Sequence, residues 1–386
     1  MRLNFILFFT IFFSIYAAVN YYIGIRLWQV LGGLVPPPGA KIYWTALTAM
    51  SLTYFISRFA GNNLPDWLDN ALEIAGSYWL ALLFYSFLVL IAVDLLRFID
   101  QRLTFLPGVF RQNPVLAGLA TMAVVAAILA YGAWNARTPV ILHYDVNIAK
   151  PAGDLKNLHA VVVSDLHLGS IVNRDRLDRL IHMINQRRPD IVLLPGDIIE
   201  QSGVFRKQRM GESLRSINAR YGVYAVPGNH EYIGGKPEED FMLLREAGVR
   251  LLRDDYIRIG DSFYVAGRDD LAGRSFTGKP RKELVQVMEG IDKTLPVILM
   301  DHQPYKLEEA QKNGVDLQLS GHTHHGQIFP LNYITQRIFE IDRGYLHKGD
   351  LNVIVTVGFG TWGPPVRLGN SPEIIDLNIR FGVPGN

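Results

Sequence analysis

The sequence predicts a multi-span helical membrane region followed by an α/β layered core with a mixed sheet. Three observations predict it. Charge is sharply divided along the chain: residues 1–135 hold seven Lys/Arg and five Asp/Glu, while the rest of the 386 residues holds 31 of each. The long apolar runs lie almost entirely in the first part. Past residue 157, short β-rich runs alternate with helical patterns, as layered α/β domains do. A chain of this length accommodates two or three domains.

Four apolar segments account for the first part. Leu3–Ile23, Ile74–Val93 and Val115–Ala136 are charge-free over 21, 20 and 22 residues, and Ile42–Ser57 over 16. A helix crossing the hydrocarbon needs about 20 apolar residues. Three segments meet that length; the second reaches it if Arg58 snorkels, and is otherwise a buried core helix. The first is too long for a signal peptide and more spans follow it. With four spans, the N-terminus and the C-terminal domain share one side. Arg26, Lys41, Arg97, Arg102 and Arg111 flank the spans on the other side, against Arg2, Arg58, Arg137 and Lys150 on the shared side. Positive residues favour the cytoplasm, so the catalytic domain is expected to face outward from an inner or plasma membrane of a bacterium. No charge sits within these four segments to suggest an ion pathway, which makes an anchor in the lipid bilayer the simplest role. The expected organisation is a transmembrane region of four helices over 1–136, a linker over 137–156, and one domain over 157–386.

Composition narrows the chemistry of that domain. Its charge is balanced, which argues against a nucleic-acid partner. There is no cysteine, so disulfides and thiolate chemistry are excluded, and any metal must be held by imidazole, carboxylate and carbonyl groups. The sequence carries no signal of oligomeric state.

His159–Val163 reads as a buried strand. RDRLDRLIHMINQRR follows as a helix with Leu177, Leu180, Ile181 and Ile184 on one face, stopped by Pro189. Ile191–Leu194 and Val223–Val226 are further strands, with helical stretches near Glu212–Asn218 and Glu238–Glu246. Strands are also expected at Ser262–Ala266, Val297–Met300, Asp316–Leu319, Asn352–Val357 and Glu373–Ile379. Polar blocks stand where strands stop: SDLH (164–167), PGD (195–197), PGNHE (227–231), DHQP (301–304) and GHTH (321–324). In open α/β sheets the crevice beyond the carboxyl ends of strands is where ligands sit. Asp165 and His167 are spaced i, i+2, as are His322 and His324, so each pair can converge on one centre from a short turn. Singly, such pairs are more often polar loops; five blocks at five strand ends point to a metal site. An all-O/N ligand set suits two divalent ions such as Mn, Fe, Zn or Co. Two ions roughly 3.5–4 Å apart can polarise a phosphoryl group, generate hydroxide and stabilise the leaving oxygen.

DLH, GD, GNHE, a later isolated histidine and GHTH, in that order over about residues 157–379, resemble the calcineurin-like metallophosphoesterases. The resemblance implies a two-sheet α/β/β/α sandwich. Position by position, it implies one metal held by Asp165, His167, Asp197 and His324. A second would be held by Asp197, Asn229, His302 and His322, with Asp197 bridging. His230 would be the histidine that touches the phosphoryl oxygens and protonates the leaving group. An anionic carboxylate suits the bridging place, and a histidine outside both ligand sets keeps a proton free for transfer. The bland alternative for His230 is a structural histidine bonded to Glu231 or another carboxylate.

The run GFGTWGPPVRLGNSPEI (358–374) resembles the membrane-associated, YkuE-like branch of that family, although that branch usually has glycine where His325 stands. His325, Arg367 and Arg268 are possible substrate contacts. The structural alternatives are a solvent-facing His325 and an Arg367 paired with Glu373. Trp362 offers an apolar rim. The wider family includes enzymes cleaving a UDP-diacylglucosamine pyrophosphate. The expected function is therefore a membrane-anchored, metal-dependent phosphoesterase or pyrophosphatase acting on a phosphorylated small-molecule or lipid-linked substrate. A tethered phosphatase or phosphodiesterase for soluble substrates is the alternative within the enzymes. A non-catalytic membrane metal-binding sensor is the alternative outside them.

Overall fold

The computed structural model describes residues 2–34 and 38–383. The chain forms two compact units. One extends to Trp134 and includes Gly363–Val366; the other spans Asn135–Trp362 and resumes at Arg367.

Four long helices build the first unit: α1 (Arg2–Leu31), α2 (Gly39–Ala60), α3 (Asp66–Leu103) and α4 (Pro114–Asn135). Three are long and apolar enough to cross a membrane, over Leu7–Leu31, Asp66–Leu103 and Pro114–Asn135. The expected second span is a full 22-residue helix, α2, but its Lys, Arg, Ser and Thr content keeps it more polar than the other three. Small residues set the close crossings, as is usual between membrane helices. A Cβ on Gly76 of α3 would collide with the backbone of Tyr54 in α2, and one on Gly118 of α4 would collide with Val30 of α1.

The second unit is a sandwich of two mixed six-stranded sheets. Its strands are β1 (Val140–Ile148), β2 (Asn157–Val162), β3 (Ile191–Pro195), β4 (Val223–Val226), β5 (Arg250–Leu251) and β6 (Asp255–Ile259). They continue with β7 (Phe263–Gly267), β8 (Val297–Met300), β9 (Leu317–Ser320), β10 (Gly344–Lys348), β11 (Leu351–Val355) and β12 (Glu373–Phe381). The first sheet runs β1-β12-β2-β3-β4-β5 and the second β10-β11-β9-β8-β7-β6. β2 to β5 are mutually parallel, as are β7, β8, β9 and β11, with antiparallel pairings at β12–β2, β6–β7 and β10–β11.

Alternation along the strands makes the layers. Ala160 and Val162 of β2, Ile191 and Leu193 of β3, and Val265, Ile298 and Leu317 of the second sheet are buried together between the sheets. Their neighbours Val161, Val192 and Leu194 face outward and meet Leu177, Leu180, Ile181 and Ile184 of α5 (Arg174–Arg187), the apolar stripe expected of that helix. The Asn173 side chain caps α5 by accepting from the Arg176 N–H. A third cluster, with Val297, Leu299 and Val353, covers the outer face of the second sheet.

The stretch expected as a linker, 137–156, is corrected by the structure: it carries β1. All nine residues of β1 pair in parallel register with β12, from Val140 opposite Glu373 to Ile148 opposite Phe381. β1 is only partly buried, so its apolar alternation is weak and it reads as loop from sequence alone.

Candidate metal centre

β2, β3 and β4 of one sheet and β8 and β9 of the other end at a common edge. Asp165 and His167 follow β2, Asp197 follows β3, Asn229 and His230 follow β4, His302 follows β8, and His322 and His324 follow β9. Two clusters result, joined by a third of His167, Asp197 and His230. Asp165, His167 and His324 bring one donor atom each to within 4.8 Å of one another, as do Asp197, His302 and His322. Asp197 lies between them, with its Oδ2 3.1 Å from His302 Nε2 and 3.9 Å from His167 Nε2. Asn229 Oδ1 faces His322 Nδ1 at 2.8 Å and His302 Nε2 at 3.2 Å. Those contacts place all seven expected ligands in one site.

The backbone is bent to achieve this. Asp165, His167, Asp197, His322 and His324 all hold positive φ, between 46° and 72°. Such conformations cost a non-glycine residue about 1–3 kcal/mol each and persist where surrounding structure enforces them. The turns rely on close approach as well. A side chain on Gly228 would strike the Asp197 carboxylate, and one on Gly321 would strike Ser164 and Asp165.

The donor chemistry fits divalent cations. Burial opposes charge on Asp197, yet the imidazoles of His302 and His230 hold its carboxyl well below the usual range. Burial likewise opposes charge on Asp165, and His324 holds it down. Burial pushes His322 and His324 down to about 4, so both carry free ring lone pairs at neutral pH. His167 and His324 face each other nitrogen to nitrogen at 3.1 Å, an arrangement that a shared cation satisfies better than a single proton. His302 Nδ1 donates to the Pro195 carbonyl at 2.8 Å, which turns Nε2 toward Asp197. Fixing a ligand's tautomer through its other nitrogen is the usual support of a metal site.

Glu200 is a candidate functional residue that the strand-end motifs did not reveal. One oxygen, Oε2, accepts from His230 Nδ1 at 2.6 Å and from His167 Nδ1 at 3.1 Å. Burial works against the charged form of His230, but the Asp197 and Glu200 carboxylates raise it to about 9. The signal in the sequence was an acid three residues after Asp197 in GDIIE, too common a spacing to single out. Glu231, the alternative partner considered for His230, instead accepts from the backbone N–H groups of Gly228, Ile198 and Ile199 and ties the β3 and β4 turns together. Replacing Glu200 with glutamine should lower turnover and metal affinity by about 10- to 100-fold, the cost typical of losing a ligand's support. Metal titration of E200Q against the parent checks this, with E200D expected to recover part of the loss.

The three residues expected to touch substrate are placed elsewhere. Arg367 is fully buried. It donates to the carbonyls of Val357, Gly358 and Gly360 and to Asn370 Oδ1, and it faces His324 Nδ1 at 3.2 Å. Those carbonyls occupy its guanidinium, and it makes no ion pair with Glu373 among the described residues. Arg268 is buried against Asp301 and Glu309. His325 is buried rather than solvent-facing, and its Nδ1 lies 2.7 Å from Asp342 Oδ2, which also accepts from Thr335. Trp362 is the group that does flank the centre: it is half exposed and its ring lies 6.5 Å from that of His230.

Two mixed sheets that converge on paired carboxylate–imidazole clusters define a metal-dependent hydrolase with a candidate dinuclear centre. The chain belongs to the calcineurin-like metallophosphoesterase family. The calcineurin-like phosphoesterase family matches residues 158–326. An uncharacterized metallophosphoesterase of Aquifex aeolicus is 37% identical over 56% of this chain and 83% of its own length. A transmembrane protein with metallophosphoesterase domain from Danio rerio is 28% identical over 91% of this chain and 84% of its own length. The metallophosphoesterase YkuE of Bacillus subtilis is 30% identical over 57% of this chain and 78% of its own length. With three helices suited to cross a bilayer, this is an integral membrane member of the family.

Proposed function

We propose that the chain hydrolyses a phosphate ester or pyrophosphate of an amphiphilic, lipid-linked substrate. We place it in the YkuE-like branch, in keeping with its similarity to that protein. The observation that carries the substrate reading is Trp362, an exposed aromatic surface beside His230 at the edge of an otherwise buried polar centre. An apolar wall at that place favours a substrate whose leaving group has an apolar part.

Asp165, His167, Asp197 and His324 would hold one divalent ion, and Asp197, Asn229, His302 and His322 the other. When bound, the pair supplies Lewis acidity toward the phosphoryl oxygens and a nucleophile at neutral pH. The protein's own part is to fix geometry and move one proton. Glu200 holds the Nδ1 protons of His167 and His230, so each ring presents Nε2 to the site. His167 then offers a lone pair, while His230, outside both ligand sets and with its Nδ1–H held by Glu200, presents a proton on Nε2. That proton goes to the leaving oxygen as the P–O bond breaks. In this reading α2 crosses the bilayer with the other three helices and the catalytic unit faces outward, as the basic residues flanking the spans favour.

The test is turnover by the full-length protein in detergent with Mn, Zn, Fe or Co. The substrates are bis-p-nitrophenyl phosphate, a soluble nucleotide diphosphate and a lipid-linked nucleotide diphosphate. A kcat/KM at least 10-fold higher for the lipid-linked compound is expected. Equal values for the two diphosphates would favour the soluble-substrate alternative. Two bound metals with no turnover on any of the three would favour the sensor.

A further inference from the structure

The first unit contains a cavity of about 370 Å³ between α1, α3 and α4. It is lined on α3 from Trp79 to Arg97 and on α4 from Pro114 to Leu129. The lining runs eighteen residue steps along α3 and fifteen along α4, about 22–27 Å. The lining is mostly aliphatic, with Leu83, Leu90 and Leu129 typical of it, beside Trp79, Ser86 and Thr121. Charge enters at one end only, where Arg26, Gln29 and Arg97 stand near the end of α1 and in the last two turns of α3.

The two arginines are not equivalent. Arg26 is paired with Asp94, which also accepts from the Tyr22 hydroxyl at 2.6 Å, and Arg26 reaches Gln29 at 3.3 Å. Asp94 itself does not line the cavity. Arg97 has no hydrogen-bond or ion-pair partner among the described residues, and it is half-buried. The mouth therefore carries one uncompensated positive charge above a long apolar slot.

We propose that this cavity is a binding site for an anionic phospholipid, with the phosphodiester at Arg97 and one acyl chain laid between α3 and α4. A singly charged headgroup balances the Arg97 guanidinium. The acyl chain lies in a slot long enough and apolar enough to hold it. A zwitterionic lipid brings a choline or ethanolamine cation back toward Arg97, and a free anion leaves the slot empty, so neither satisfies both ends. Basic pockets between membrane helices are established recognition sites for anionic headgroups. The site is independent of the proposed catalytic chemistry and is built entirely within the helical unit.

The test is thermal unfolding of the full-length protein in neutral detergent with phosphatidylglycerol, phosphatidylcholine or inorganic phosphate added. Phosphatidylglycerol should raise the midpoint by several degrees, as any ligand selective for the folded state does. The other two should leave it within a degree. R97Q should lose most of that shift through the headgroup, and Ala126→Phe should lose it by obstructing the slot with both arginines intact. Equal shifts from both lipids, a full shift from phosphate alone, or an undiminished shift in both variants would overturn the proposal. If R97Q does not fold, A126F decides between the same outcomes.

Discussion

Replacing Asp197 with asparagine is expected to lower turnover by about a thousandfold and to reduce bound metal from two ions to one or none. The size follows from the several kcal/mol that metal ions contribute to stabilising transition-state charge, at 1.36 kcal/mol per tenfold. Asparagine keeps the shape and can still accept the His230 backbone N–H that Asp197 Oδ1 accepts at 2.8 Å. It removes the one anion lying between the two clusters, 3.1 Å from His302 and 3.9 Å from His167. Neutral oxygen bridges two cations poorly, because each ion then sees the other's charge with nothing between them. Metal content by mass spectrometry beside turnover on bis-p-nitrophenyl phosphate decides it. An Asp197→Asn protein with two ions and parental turnover would remove Asp197 from the bridging role.

Substituting His230 with asparagine should act on a different quantity. Metals should remain bound, KM should change little, and kcat should fall by about 10²–10⁴, the range for losing a general acid. The loss should be largest for an alkyl ester, whose leaving oxygen needs the proton. It should be small for a p-nitrophenyl ester, whose leaving group departs unaided. Equal losses on both would show that His230 positions substrate instead of protonating it. The metal-free protein offers a second reading of the same side chain. His230 stands at about 9 in the folded state, raised by Asp197 and Glu200 against its burial, above its ordinary value of 6.5. A group raised on folding lends stability fully below its unfolded value and loses it as pH climbs through the folded one. Metal-free parent protein should therefore lose midpoint temperature between about pH 6.5 and 9, and H230N should lose less over that interval. Parallel curves would show that the Glu200–His230 pair contributes nothing to stability.

The candidate metal-binding residues were legible in the sequence because each stands just past an apolar run, and strand ends are where a parallel sheet can assemble distant residues. Helix α5 was legible for a similar reason, its apolar spacing being copied in its burial. What stayed hidden depends on partners that are remote in the chain. Arg367 looks like a basic residue near a site, and only the fold shows the carbonyls of Val357, Gly358 and Gly360 closing around it. His325 looked exposed because nothing local announced Asp342. Glu200 carries no distinguishing pattern, since its meaning is that two histidines 63 residues apart meet at one of its oxygens. β1 was missed because an edge strand is held by its neighbour's backbone more than by its own apolar face.

That neighbour gives β1 a peculiar dependence on the order of synthesis. β12 lies between β1 and β2, so the first strand to leave the ribosome must wait for the last before it has anything to bond to. Until Glu373–Phe381 emerges, β1 is a loose tether between an already inserted anchor and a half-built sheet, and its exposed backbone is open to any other strand edge nearby. Closing the first sheet thus depends on a pairing between two strands that stand far apart in the sequence.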